Sequence, residues 1–108
     1  MTDQVLELAT ITLADGATEA QLLAASDHFQ RAFLSGQDGF LRRDMVRRGD
    51  GTYSDVILWE SRAHADAVFE KAQKSEACSA YFGLMKMDPD TMDEAVEHCT
   101  IMHSFQKG

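Results

Sequence analysis

The chain is short of several things, and each shortage removes a class of function. It has two cysteines and one proline in 108 residues. Two cysteines make a poor staple for a secreted framework. Cys78 and Cys99 sit among apolar neighbours in runs that read as regular elements, where reduced, packed thiols are expected. No apolar stretch approaches the ~20 residues that span a bilayer, and Met1-Thr2-Asp3-Gln4 lacks the basic region and following apolar run of a signal peptide. A soluble, cytoplasmic protein with no membrane partner is therefore expected. Basic charge is scarce as well: 10 Lys and Arg face 18 Asp and Glu, a net charge of -8. That balance opposes phosphate backbones, so nucleic acid is not an expected partner despite the local cluster Arg42, Arg43, Arg47 and Arg48. These arginines fall on both faces of one strand-like run, so solvent or a partner subunit's acids are expected to take them rather than a bound anion.

Familiar catalytic signatures are also missing. There is no Gly-x-Ser-x-Gly elbow for a nucleophilic serine. Gly49-Asp50-Gly51 lies between two strand-like runs, without the helix N-terminus or lysine that a phosphate loop uses, and reads as a hairpin turn. His64, His98, Cys99 and His103 show no ligand spacing of a known metal site, so no metal is expected.

What the chain does have is rhythm. Val5 to Leu13 alternates as a strand, with Val5, Glu7, Ala9, Ile11 and Leu13 on one face and Leu6, Leu8, Thr10 and Thr12 on the other. Thr18 with Glu19 and Gln21 reads as a capping box opening a helix to about Ser35, whose apolar stripe is Leu22, Ala25, Phe29, Ala32 and Phe33, with His28 on the outer surface. Strands are predicted over Phe40 to Arg48 and Thr52 to Glu60. Ser61 caps a second helical region carrying Ala65, Val68, Phe69 and Ala72, then Cys78, Tyr81, Phe82 and Met85, with a break near Lys74-Ser75; His64 reads as a surface residue of this helix. Asp88-Pro89-Asp90 is a loop, and the last strand is predicted from Val96 to Phe105. The order strand, helix, strand, strand, helix, strand is a split βαβ arrangement. Residues 1-108 are expected to form a single α+β domain, large enough to bury roughly 65% of its unfolded surface.

With Gly39-Phe40 opening the second strand, Leu58-Trp59-Glu60-Ser61 joining the third strand to the second helix, and Tyr81-Phe82-Gly83-Leu84-Met85 before Asp88-Pro89-Asp90, the chain resembles the dimeric α+β barrel superfamily. Its flavour is similar to the antibiotic biosynthesis monooxygenases. The resemblance covers nearly the whole chain. It implies a ferredoxin-like βαββαβ subunit with a four-stranded antiparallel sheet and two helices on one face. Two such subunits would pair their sheets face to face as a homodimer, with a pocket in each half. An uncovered face carrying Ile11, Leu13 and Trp59 would be a large apolar patch for a monomer, which points to that face as the interface. The superfamily's haem-degrading branch is not matched. Its asparagine, tryptophan and histidine correspond to Ala9, Val68 and approximately Cys78 here.

The implied activity is cofactor-independent oxygenation of an aromatic or polycyclic substrate, which needs a base and an apolar pocket to hold the substrate anion beside oxygen. His98 is the candidate base, because its strand face can neighbour Glu7 and Ala9; His103 falls on the opposite face. Glu7, Ala9, Trp59, Val68 and Phe82 are the candidate ligand-pocket residues, with Tyr53 and Asp55 on the strand face of Trp59. Structural roles stand beside each functional one: a partnered carboxylate for Glu7, a core anchor for Trp59. The alternative function is a non-catalytic ligand-binding or stress-response module on the same fold.

Overall fold

The computed structural model describes residues 3–86 and 95–107. Strand β1 spans Val5–Ile11. At Thr18 the backbone is extended, its hydroxyl accepts from the Gln21 N–H, and the Gln21 side chain accepts from the Thr18 N–H, so the expected capping box starts helix α1, Glu19–Ala32. α1 stops short of Ser35 because a single 3-10 turn, Leu34–Gly36, takes over and buries Leu34. Leu22, Phe29 and Phe33 of the expected stripe are buried, whereas Ala32 is exposed.

Strands β2, Phe40–Arg47, and β3, Tyr53–Trp59, form a hairpin. Gly51 takes the positive φ of +87° that the turn requires, and the Asp50 carboxylate accepts from the Thr52 N–H at 3.0 Å. Ser61 caps α2, Arg62–Ala72, and Ser75 caps α3, Glu76–Phe82, so the second helical region breaks where expected. Asp88-Pro89-Asp90 lies outside the described residues. The sheet order is β2-β3-β1-β4, with every neighbouring pair antiparallel.

Both outer ends of the predicted strands need correction, for one reason. A strand persists only while it has a neighbour to bond. β1 parts from β3 after Ile11, and the chain at Thr12 to Ala14 pairs instead with the segment after α3, through Lys86 N–H to Thr12 O and Ala14 N–H to Leu84 O. Leu13 sits in an isolated bridge with Met85. β4 covers Val96–Thr100 rather than reaching Phe105, because β1 begins at Val5, opposite Thr100. A last bond joins Ile101 N–H to Gln4 O; beyond it Met102 is 86% and Phe105 90% exposed.

One core cluster joins Ile11, Ile57 and Trp59 of the sheet to Leu22 and Phe29 of α1, Ala65 and Val68 of α2, and Cys78 and Tyr81 of α3. Helices α1, α2 and α3 thus cover the same sheet face. This reverses the expected assignment of faces: Ile11 and Trp59 are buried beneath the helices, and Leu13 packs against the same cluster. Alternation specifies which residues share a face, not which face the helices choose. The bare face carries Leu6, Leu8, Val56 and Leu58 at its centre.

Candidate functional site

Between the helices and the sheet lies an apolar cavity of about 80 Å³. Phe29 and Phe33 of α1, Ile57 and Trp59 of β3, and Ala65 and Val68 of α2 wall it, together with Leu34 and Ala72. Phe69 and Phe82, both partly exposed, form its rim. Glu7 is the one ionisable residue among the described residues lining this otherwise apolar space. Glu7 and His98 stand directly opposite each other on β1 and β4, and Glu7 Oε1 lies 3.1 Å from His98 Nε2. Their side chains are only 19% and 17% exposed. Burial raises the Glu7 pKa above its ordinary value; the opposing pull of His98, and a smaller one from the Trp59 indole, limit the rise.

The Trp59 indole N–H comes near Glu7 without reaching hydrogen-bond geometry. Among the described residues it is a buried side-chain donor with no partner. Phe40 packs edge-on against the ring, at 5.9 Å between centroids, and holds it in place.

Of the residues predicted for the site, Glu7, Trp59, Val68 and Phe82 line one cavity, and His98 stands behind Glu7 as its partner rather than in the wall. Ala9 does not line it; it sits one pair further along, opposite Asp55 and Val96. His103 lies beyond β4, on exposed chain. Cys78 is fully buried, and burial raises its pKa, which keeps the thiol protonated. His64 departs from expectation. It is half-buried over Gly39, whose positive φ of +82° and missing side chain make room for the imidazole, and its Nδ1 lies 2.7 Å from Ser61 Oγ. Glu60 is 4.0 Å from His64 Nε2, but this serine is the α2 cap, accepting the His64 N–H at 3.2 Å.

Sequence reasoning missed a buried polar network behind Phe29. Arg43 donates through Nε to Asp55 Oδ1 at 3.0 Å and through Nη2 to the Tyr81 hydroxyl at 2.9 Å, and that hydroxyl donates to Asp55 Oδ2 at 2.7 Å. Nη1 reaches Ser26 O and Gln30 Oε1 at 3.4 Å each. The guanidinium lies over the rings of Phe29 and Tyr81, at 5.0 and 5.4 Å from their centroids. Burial and the Asp55 charge push the Tyr81 pKa well above the usual phenol value. The legible signal was Asp55 itself: a carboxylate on the strand face of Ile57 and Trp59 requires a cation.

No protein-family model matches the sequence, and no curated protein matches it. Solved structures do. SnoaB, a cofactor-independent oxygenase from Streptomyces nogalater, superposes with a TM-score of 0.68 at 17% identity, covering 97% of both chains. A provisionally assigned antibiotic biosynthesis monooxygenase from Bordetella bronchiseptica gives 0.63 at 16% identity, over 96% of this chain and 100% of that one. The subunit fold is the one these structures share, a four-stranded antiparallel sheet with helices on one face. A hydroxynitrile lyase from Passiflora edulis shares this fold too, with a TM-score of 0.65 at 14% identity over 98% of this chain and 100% of that one. Oxygenase and lyase on one fold mean that the cavity, not the fold, must carry the functional argument. No helix among the described residues is long and apolar enough to cross a membrane.

Proposed function

We propose that the protein is a cofactor-independent monooxygenase for an aromatic substrate, working as a cytoplasmic homodimer. The observation that carries the reading is the Glu7–His98 pair, a titratable couple whose glutamate lines an apolar cavity and has its pKa raised by burial. A raised carboxylate is a stronger base than an exposed one. Glu7 takes the hydroxyl proton of the substrate, His98 steadies the exchange from behind, and the electron-rich anion reacts with dioxygen. One oxygen atom stays in the product and the other leaves as water with two hydrogens from the substrate. The oxygenase SnoaB, similar in fold, supports the reaction class. The bare sheet face supports the dimer, since Leu6, Leu8, Val56 and Leu58 would otherwise meet water together.

Oxygen uptake across a panel of hydroquinones and anthrones tests the reading. With a substrate in hand, Glu7→Ala, which removes the base, is expected to lose about a hundredfold to ten-thousandfold in turnover. Unchanged turnover in that variant would end the assignment of Glu7 as the base. A second reading, a non-catalytic ligand-binding module, draws on the cavity's modest size, about 80 Å³ against the ~300–1,000 Å³ of drug-sized sites. Its signature is ligand binding with no oxygen uptake.

A further inference from the structure

This inference rests on the cavity being the substrate site, and it narrows the occupant. At about 80 Å³ the cavity is smaller than the ~150 Å³ that accommodates one benzene ring, so some wall must yield even for a small ligand. The inner wall is not free to do so: Phe29 is 6%, Leu34 1%, Ile57 5% and Val68 7% exposed, held at interior packing density between sheet and helices. The rim is free. Phe69 is 63% and Phe82 36% exposed, and rotation of these two side chains adds room at the mouth for the outer edge of one ring. A fused system would have to displace the core itself.

Polarity selects as sharply as size. The buried Trp59 N–H has no acceptor among the described residues, a deficit that an occupant's oxygen would remove. Glu7 gives Oε1 to His98 and keeps its second oxygen to accept another proton donor. The inner end of the occupant must therefore supply an acceptor and a donor, with the rest apolar. A carbonyl supplies only the acceptor, an ammonium only donors, and a carboxylate would face Glu7 with like charge. A phenolic hydroxyl meets both demands with one atom. We propose that the cavity takes a single-ring phenol, its hydroxyl accepting from Trp59 Nε1 and donating to Glu7, and that it excludes fused-ring substrates.

Trp59 is the chain's one tryptophan, so its indole N–H gives an NMR signal that needs no assignment. Titrating the intact protein with phenol, toluene, 1-naphthol and anthrone is expected to move that signal with phenol alone, and calorimetry to show phenol binding about tenfold or more tighter than toluene. Trp59→Phe should bring the two affinities within a few-fold of each other. Toluene binding as well as phenol, or anthrone moving the indole signal, would overturn the proposal; the comparison in the unmodified protein holds even if the variant fails to fold. Oxygen uptake with bound anthrone would remove the single-ring limit and leave the oxygenase reading standing. If no aromatic moves the indole signal, both fall.

Discussion

On the helix side of the sheet, Val5, Ile11, Ile57 and Trp59 are each at most 5% exposed, while at neighbouring positions of the same two strands Leu6, Leu8, Val56 and Leu58 remain half-buried on the other side. The two faces differ in charge as well. The covered face holds Glu7, Arg43, Asp55 and His98, each with an ionisable partner within 3.1 Å. The bare face keeps its apolar residues central, with the exposed Arg42–Asp44 pair at the flank on β2. Charges inside are kept at low cost only when paired, whereas a contiguous apolar patch outside marks a surface that a partner would cover. Under the proposed function, chemistry and assembly would occupy opposite sides of one sheet.

The sharpest way to break this contrast is Asp55→Ala. It leaves the Arg43 guanidinium buried without its counter-ion and takes the acceptor from the Tyr81 hydroxyl, so a loss of about 3–5 kcal/mol is expected in urea denaturation. A loss below ~1 kcal/mol would mean that the covered face treats charge as leniently as the solvent side. Leu8→Glu tests the other face. An unpaired carboxylate there should weaken self-association at least about a hundredfold, or ~3 kcal/mol, so light scattering should see a dimer become a monomer with its helices intact. A native protein that is already monomeric at micromolar concentration removes the distinction.

The smallest effect is expected for Glu7→Gln, and its sign is specific. Folding raises the Glu7 pKa above its ordinary 4.5, so the folded state favours the protonated acid. That contribution is complete below the ordinary value and is lost as pH climbs through the raised one. Stability followed against pH should fall across that window in the native protein, by no more than about 1.4 kcal/mol per pH unit, and the fall should vanish in the variant. A native curve that rises through the window instead would show that the His98 attraction outweighs burial.

Most of the architecture was legible because its signals are local: the Thr18 capping box, the Gly49-Asp50-Gly51 turn, the cap at Ser61 and the break near Lys74-Ser75 lie within a few residues of what they control. The Glu7–His98 pair followed from alternation on two adjacent strands. The network around Arg43 did not, because the pairing shifts between Phe40 and Arg42. That irregularity resets the alternation, so that Phe40 packs on Trp59 and Arg43 still turns inward to Asp55. Nothing near Leu41 announces the extra residue. The choice of sheet face and the end of β4 depend on which elements lie alongside, which a linear pattern does not contain.

The Arg43 guanidinium draws its partners from β3, α1 and α3, up to 38 positions away along the chain. No pair of these elements satisfies it alone. We predict that its stabilisation arrives only when the last of them docks, after the main barrier to folding, with folding and unfolding rates of Asp55→Ala as the test. Interactions of that kind govern how long the native state lasts more than how fast it is reached. The loss in Asp55→Ala then belongs to the escape rate: a chain that finds its native shape on nearly the original schedule and keeps it for a far shorter time.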